Sequence, residues 1–456
     1  MRKIKYIILL IFILSSSVLS AQSPERDEDR FFYGAKVDED MQSVTPSDSF
    51  FTKGIQYGAV LNPVYLYEEN DSGKLGTYII NARVWAKSYL WSNSFLYVRG
   101  KNSYMGVASQ DGMYEGVESD NVADLDLAYL SMNFFDNAIN LSGGRKFYSI
   151  GTGLVLNGRG DGGELSWYGS ILSLKILGLY TGLLNKDNNP YGLSDKDIAD
   201  GAKRSFGGGT LAADFLNQKL YIFGLAQIDN GDEEDNAKSR YNSQYYGGGL
   251  EGVVLQDVSY FAEFVCEKGE SYLSGTEKKS SIAAYAVNSG LSWFIPLPLN
   301  PALILQYAFG SGDKYRTDYS SPTRPSASTG DDTGFLYFGT FSGGYALKPQ
   351  LSNIHVYRGG VSFAPFAWAD SMHLKKMSIA AKYSYYMKDK KESPIGAGEA
   401  ELPEANIGQG ADVSFRWQIF YDLSMYVNYG VFLPGDAFDS SEGTRHFVMS
   451  GVNLSF

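Results

Sequence analysis

The residues His446-Phe-Val-Met-Ser-Gly-Val-Asn-Leu-Ser-Phe456 end the sequence and decide the fold class. On an extended strand Val448, Val452 and Leu454 share one face, and the final residue is aromatic. This pattern is typical of the closing strand of an outer-membrane β-barrel. We expect Val452, Leu454 and Phe456 to form the assembly signal that the barrel-assembly machinery recognises. For the tail taken alone, the edge strand of a soluble all-β protein is the alternative.

The N-terminus indicates export from the cytoplasm. Three basic residues among the first five positions precede the apolar run 7–14, and small residues lead up to Ala21. This is the organisation of a secretory signal peptide, so we expect residues 1–21 to be removed after Ala21. The apolar run is too short to span a bilayer as a helix.

The remaining chain divides into two predicted parts. Residues 22–50 are acidic and polar without a sustained period, which predicts a mostly disordered periplasmic extension. Residues 51–456 contain no run of about 18 apolar residues, which excludes membrane-spanning helices. The sequence is rich in Tyr (34), Phe (27) and Gly (51), which suits strands that face lipid on one side and a polar interior on the other.

Charge and cysteine content exclude further classes of protein. The sequence has 39 basic and 51 acidic residues and a net charge of −12, which makes it a poor candidate for nucleic-acid binding. The single cysteine, Cys266, rules out a disulfide framework and is expected to be a buried, inert thiol.

Apolar and polar residues alternate in many segments. Between 411 and 420, Val413, Phe415 and Trp417 alternate with Asp412 and Arg416, which predicts a lipid face and a lumen face. Eighteen such segments indicate an all-β fold, a transmembrane antiparallel β-barrel of eighteen strands. Sixteen strands are the alternative, because the stretch 147–183 does not divide cleanly.

The connections between these segments alternate between short and long. Short turns are predicted at 217–218, 296–301 and 420–422. Polar segments predicted as outer loops are 184–203, 229–243, 311–334, 388–407 and 433–444. Any of these loops could fold inward and narrow the lumen, and a barrel of this size has room for an aqueous channel or a plug.

Charged residues on the polar faces are the candidate site. A charge at mid-bilayer costs roughly 2 to 4 kcal/mol on the lipid face, so these side chains are expected to face the lumen. The basic candidates with lumen-facing parity are Arg83, Lys87, Arg99, Lys101, Lys382 and Arg416, and the acidic candidates are Asp124, Asp126, Glu251, Glu263 and Asp412. Structural pairing across the wall and ion selectivity are both open for each arginine.

The sequence gives little support for metal binding or catalysis. The acidic segment 229–236, with Asp229, Asp232 and Asp235, could hold Ca²⁺ but lacks a spaced loop with a distal glutamate, so a solvated loop tip is favoured. The sequence has three widely separated histidines, which do not support a zinc site or a His-centred nucleophile system. We expect no cofactor, no metal and no enzymatic activity.

Two regions carry a family resemblance. The segment Asn353-Ile-His-Val-Tyr-Arg-Gly-Gly-Val-Ser-Phe363, the strand 377–387, Asp412-Val-Ser-Phe and Tyr429-Gly-Val-Phe-Leu-Pro-Gly-Asp-Ala-Phe438 resemble the C-terminal part of the alginate-export porin family. Upstream, Ala128-Tyr-Leu, Gly144-Arg-Lys146 and Gly158-Arg-Gly-Asp-Gly162 are similar to its central strands.

The resemblance implies an eighteen-stranded outer-membrane barrel with an arginine-rich path for an anionic polysaccharide. In the matching segments the arginines are Arg145, Arg159, Arg358 and Arg416. For Arg145 and Arg358 the parity is ambiguous, and a loop position is open for Arg159.

These observations favour an outer-membrane porin in a diderm bacterium. We expect passive diffusion of small anionic or sugar-like solutes through a charged constriction. A dedicated channel for anionic, alginate-like oligosaccharides and polysaccharides is the first alternative, and a surface adhesin or structural barrel without conductance is the second.

Overall fold

The computed structural model describes residues 54–456 except 92–93, 232–239, 256, 274–277, 321, 323, 325–329 and 397–398. The predicted signal peptide (1–21) and extension (22–50) lie outside the described residues. The described chain has two short α-helices, α1 (Asp195–Asp200) and α2 (Met372–Lys375). None of the described helices has the length and apolar character needed to cross a membrane.

Eighteen β-strands make up most of the described chain, which confirms the predicted number. Their bounds are β1 Ile55–Asn70, β2 Gly73–Tyr89, β3 Phe95–Gln110, β4 Asp120–Phe134, β5 Ile139–Ile150, β6 Leu156–Tyr168, β7 Leu172–Tyr180, β8 Arg204–Phe215, β9 Gln218–Asp229, β10 Asn242–Val254, β11 Val258–Tyr272, β12 Lys279–Phe294, β13 Ala302–Gly310, β14 Ile354–Phe363, β15 Met377–Lys388, β16 Asn406–Gln418, β17 Leu423–Pro434 and β18 Arg445–Ser455.

Each strand pairs antiparallel with the next one, and β18 pairs with β1 to close the barrel. In the closing pair Leu454 lies opposite Leu61 and Val448 lies opposite Tyr67. The backbone of Phe456 continues this pairing, since its N–H donates to the carbonyl oxygen of Ala59 at 2.9 Å. The fold is therefore a closed antiparallel barrel, as the sequence predicts.

The two ends of the barrel differ. At one end, which we call the turn end, the connections include 135–138, 216–217 and 419–422. The other end, which we call the loop end, has longer connections that include 181–203 and 311–353. The predicted short turns lie at the turn end, and the described residues of the predicted outer loops lie at the loop end.

The alternation of residues separates the inner and outer faces of the wall. On β9, Tyr221, Phe223 and Leu225 are buried inside, whereas Leu220 and Ile222 are exposed on the outside. The same division holds around the barrel, so an outer apolar belt surrounds the inward-facing side chains. Cys266 alternates with buried Val265 and Glu267 on β11; it is a free, half-buried cysteine on the outer side, not the buried thiol predicted.

Two connections at the loop end fold into the lumen. In the long loop 311–353, the backbone N–H of Leu336 donates to Glu267 Oε2 at 3.0 Å, and the hydroxyl of Tyr245 donates to the carbonyl oxygen of Leu336 at 2.9 Å. In the connection 151–155, the backbone N–H of Thr152 donates to Glu263 Oε2 at 2.7 Å. Because these wall residues face inward, both segments lie inside the barrel.

The two in-folded segments also contact each other. The N–H of Phe338 donates to the carbonyl oxygen of Val155 at 3.0 Å, and the N–H of Thr340 donates to that of Gly153 at 3.0 Å. The Phe338 ring lies 5.1 Å from that of Phe206, centroid to centroid. A buried apolar core therefore fills part of the lumen near the loop end, where the inside of a porin would otherwise hold water.

One sequence prediction needs correction here, and one ambiguous stretch divides into strands. The sequence predicts an outer loop over 311–334, but the connection runs to residue 353. Its second half packs inside the barrel, where the apolar side chains of Phe335 and Leu351 are buried. The stretch 147–183, which the sequence does not divide cleanly, contains the end of β5 and all of β6 and β7. Glycines at alternate positions of β6 hide the apolar–polar alternation of this strand in the sequence.

Gly339 allows the two in-folded segments to pack closely against each other. A Cβ atom at this position would collide with the carbonyl oxygens of Gly153 and Leu154. We predict that Gly339→Ala lowers the free energy of unfolding by about 1–3 kcal/mol, because the packed interior cannot accommodate the methyl group. Urea unfolding of the refolded protein in detergent micelles measures this.

The matched control is Gly207→Ala on β8, where a Cβ atom would meet nothing within 4 Å. Its unfolding free energy should stay within about 0.5 kcal/mol of the parent. Equal effects of the two substitutions would contradict the close packing of the in-folded segments.

Candidate functional site

Charged side chains gather on two parts of the inner wall. The amino-terminal cluster, on β2 to β6, consists of Arg83, Arg99, Lys101, Asp124, Asp126, Arg145, Arg159 and Asp161. The carboxy-terminal cluster, on β14 to β16, consists of Arg358, Lys382, Asp412 and Arg416. Together they contain eight of the nine basic candidates from the sequence, all except Lys87.

Asp126 is the centre of the amino-terminal cluster. Its Oδ2 accepts from Arg99 Nε at 2.7 Å, and its Oδ1 accepts from Arg159 Nη1 at 2.8 Å. Arg83 Nε lies 3.8 Å from Asp126 Oδ2, too far for a hydrogen bond. One carboxylate therefore serves three buried guanidinium groups.

A second carboxylate extends the network to β5 and β6. Asp124 Oδ2 accepts from Arg159 Nη1 at 3.0 Å, and Asp124 Oδ1 lies 3.6 Å from Arg145 Nη1. Arg145 is bidentate to Asp161, with Nε to Oδ1 at 3.0 Å and Nη2 to Oδ2 at 2.9 Å. Such fork-to-fork pairs are geometrically specific, so Arg145 is firmly held.

Sequence reasoning missed Asp161 and the loop residues that orient Arg159. Arg159 lies in β6, so the loop position left open for it does not apply. Its Nη2 donates to the carbonyl oxygen of Asn188 at 3.2 Å, and the Tyr191 hydroxyl donates to the carbonyl oxygen of Arg159 at 2.6 Å. Burial raises the pKa of Tyr191, which keeps this donor protonated. Only the register that places Asp161 opposite Arg145 could have pointed to that acid.

The amino-terminal cluster keeps an excess of positive charge. It has five basic and three acidic side chains, and Lys101 lies directly opposite both Arg83 and Asp124 in the strand pairs on either side. Arg83 Nε is buried without a hydrogen-bond partner in the described structure. Buried polar atoms are normally hydrogen-bonded, so this open donor beside the like charge of Lys101 is an exception in the barrel wall.

The carboxy-terminal cluster has a similar imbalance. Lys382 lies opposite Asp412, and Arg416 follows on the same face of β16. Arg358 donates from Nη1 to Gln306 Oε1 at 2.9 Å and from Nε to Ser384 Oγ at 3.0 Å. Its Nη2 is buried without a hydrogen-bond partner among the described residues. Three basic side chains thus accompany one carboxylate.

The long loop completes this second cluster, which the sequence did not predict. The N–H of Tyr345 donates to Asp412 Oδ1 at 3.1 Å, and the Tyr345 hydroxyl hydrogen bonds with Ser414 Oγ at 2.8 Å. Arg358 Nη1 also donates to the carbonyl oxygen of Ser342 at 2.9 Å. The loop therefore holds the Asp412 carboxylate and Arg358 in place on the inner wall.

Three predicted lumen residues lie outside both clusters. Lys87 Nζ is 4.0 Å from the centroid of the Phe95 ring near the turn end. Glu251 accepts from Lys219 Nζ at 2.8 Å on the neighbouring strand. Glu263 accepts from Thr152 and also from the Tyr221 hydroxyl at 2.8 Å, so it holds an in-folded segment.

The remaining candidates are an acidic segment and the chain end. Asp229 Oδ2 lies 3.4 Å from Arg204 Nη1, whereas Asp232 and Asp235 lie outside the described residues. Within the described ranges, no group of three or more His, Cys, Asp or Glu side chains could hold a metal ion. Phe456 is 73% exposed at the turn end, and the assembly role of Val452, Leu454 and Phe456 stays a prediction.

A closed barrel of eighteen antiparallel strands has the fold of an outer-membrane porin. The crystal structure of Pseudomonas aeruginosa OccK2 (OpdF) is similar at a TM-score of 0.55 and 12% sequence identity, over 88% of this chain and 97% of that chain. The structure of Pseudomonas aeruginosa OpdK with vanillate is similar at a TM-score of 0.55 and 10% identity, over 88% and 99% of the two chains. At this low sequence identity, the similarity shows a shared fold and nothing more.

Part of the sequence also matches a family model. The model of the alginate export family matches residues 225–449, which confirms the resemblance predicted for the C-terminal part. OccK2 (OpdF) of Pseudomonas aeruginosa in complex with glucuronate is a further similar structure, with a TM-score of 0.54 and 12% identity over 88% of this chain and 96% of that chain. No curated protein matches the chain.

Asp126 should be the most sensitive position of the amino-terminal cluster. We predict that Asp126→Asn lowers the free energy of unfolding by about 3–5 kcal/mol, because it leaves buried guanidinium groups without their counter-charge. Urea unfolding in detergent micelles, followed by tryptophan fluorescence, measures the change.

Glu270→Gln is the control for this substitution. Its partner Lys279 lies 2.6 Å away, but both side chains are more than half exposed. An exposed pair contributes less than about 1 kcal/mol, so this variant should unfold almost as the parent does. A loss for Asp126→Asn no greater than for Glu270→Gln would contradict the structural role of Asp126.

Proposed function

We propose that this chain is an outer-membrane channel for passive diffusion of small anionic solutes, in particular those that carry a carboxylate. The observation that supports it most is that each cluster contains a buried guanidinium nitrogen without a hydrogen-bond partner among the described residues, Arg83 Nε and Arg358 Nη2. Each belongs to a cluster in which basic side chains outnumber acids. A carboxylate oxygen is the acceptor that such a donor lacks.

The physical mechanism is transfer between weak sites. A solute carboxylate that leaves water regains hydrogen bonds from one guanidinium group before it moves to the next, so no single site holds it tightly. Asp126 and Asp412 limit the attraction, because they already neutralise part of each cluster. Movement then follows the concentration gradient, and we propose neither a cofactor, nor energy coupling, nor an enzymatic step.

The similar structures provide independent support. OccK2 (OpdF) was solved with glucuronate and OpdK with vanillate, and both compounds are carboxylates. The Alginate export match favours a second candidate function, a dedicated channel for an anionic polysaccharide. The in-folded segments argue for the smaller solute, because buried Phe335 and Phe338 occupy lumen that a polymer would need.

The cellular setting is part of the proposal. We propose that residues 1–21 are cleaved as a signal peptide, that residues 22–50 remain in the periplasm, and that the barrel enters the outer membrane of a diderm bacterium through the barrel-assembly machinery. The apolar outer face is the surface that membrane lipid would contact.

Planar-bilayer recording of the refolded protein tests the function. We expect stable single-channel conductance, a reversal potential that indicates anion preference, and a reduced current with monomeric uronate. A current blocked by oligomeric uronates but indifferent to the monomer would favour the polysaccharide channel. Absence of any conductance would favour an adhesin or structural barrel.

The guanidinium groups of Arg83 and Arg358 should determine the ion selectivity. We predict that Arg83→Gln and Arg358→Gln each shift the reversal potential toward cations, because a lumen charge is lost at a position where no protein acceptor binds the open nitrogen. Circular dichroism and heat modifiability on gels would establish that the barrels are folded.

Lys279→Gln removes the same charge from the outside of the barrel, where Lys279 is paired with Glu270. Its reversal potential should equal that of the parent. If the Arg83 and Arg358 variants also match the parent, these arginines are structural wall charges and the anion path lies elsewhere.

A further inference from the structure

The turn end has an apolar surface that the interior charges do not explain. Each of the eight turns at this end, over their described residues, exposes at least one large apolar side chain. We define the turn-tip ring as Trp91, Phe135, Ile171, Leu216, Leu255, Leu297, Trp368 and Tyr421. Turn tips in water are normally built from Gly, Asn, Asp and Ser, so an apolar residue at every turn needs a reason.

Three members of the ring also occupy an unfavourable backbone conformation. Leu216, Leu255 and Phe135 have φ angles of 48°, 56° and 53°. This left-handed region favours Gly and Asn and disfavours bulky side chains. The three side chains are 90%, 82% and 78% exposed. In water, the backbone preference and the hydrophobic effect would both oppose these residues.

The ring continues the outer apolar belt. At the turn end the outward faces stay apolar to the ends of the strands, with exposed Phe215, Val254 and Trp293 next to the turns. At the loop end the outward faces carry charges instead, such as the pair Lys74–Glu69 at 2.9 Å. The apolar zone of the barrel is therefore displaced toward the turn end and includes the turns themselves.

We propose that the turn-tip ring lies in the lipid headgroup region of the membrane leaflet nearer the turn end. Lipid surrounds a barrel on all sides, which fits a ring that includes every turn around the circumference, whereas a protein partner would cover one patch. Asp136, Asn217 and Asp257 directly follow or lie close to ring residues and place polar groups at headgroup level. An apolar tip beside a polar residue is the arrangement of an interfacial anchor.

Spin labelling of the full chain in phosphatidylcholine vesicles tests the proposal. With Cys266 replaced by Ser, cysteines introduced by Leu216→Cys and Leu255→Cys carry the label, and Leu183→Cys, 67% exposed at the loop end, is the control. We expect the turn labels to collide with oxygen and to be protected from an aqueous nickel complex, with the reverse at 183. Turn labels as accessible to nickel as the label at 183 would overturn the proposal and favour a protein partner or bare solvation.

Leu216→Asn gives an independent test, since Asn suits the left-handed conformation. In a water-exposed turn this change should raise the urea midpoint of unfolding or leave it unchanged. In a lipid-embedded turn it should lower the midpoint measured in vesicles, because a polar side chain replaces an apolar one at the interface. An unchanged or higher midpoint in vesicles would contradict the lipid contact.

Discussion

The backbone sets the constraint on which the rest of this molecule depends. Inside a bilayer no water can satisfy an exposed N–H or C=O group, so a sheet that spans the membrane must close on itself. The pairing of β18 with β1 achieves this closure, from Val60 opposite Ser455 to Glu69 opposite His446. Once the sheet is closed, alternation assigns the residues of each strand to lipid or to the interior, and it shifts only where a bulge interrupts the pairing. Charges inside and apolar side chains outside are both consequences of that one condition.

Like charges on the inner wall repel each other. Cations on adjacent strands are held at fixed separations, as Arg83 and Lys101 are, and their repulsion must be offset locally. Asp126 offsets it for three arginines at once, which leaves the cluster stable but still positive. The carboxy-terminal cluster also stays positive, because Asp412, which the backbone of Tyr345 holds in place, is the one acid among three basic side chains in that cluster. Both clusters combine a rigid wall with residual positive charge.

Alternation explains why much of this could be predicted. It placed Val413 and Phe415 outside and Arg416 inside without knowledge of any partner, and it gave the number of strands. It could not give the Arg145–Asp161 pair, which depends on the register between β5 and β6. The loop contacts could not be predicted from the sequence either. Thr152 and Glu263 are 111 positions apart, and their contact depends on the closed barrel. Tyr345 was missed for the same reason.

The two lumen carboxylates of β11 have a consequence for evolution and engineering. Glu263 holds the connection 151–155 and Glu267 holds the long loop at Leu336, so both in-folded segments are attached to one strand. Exchange of the long loop alone between related barrels would separate it from its attachment point. The unit that can be transplanted is β11 together with the two segments, and variation in aperture among relatives should follow this unit as a module.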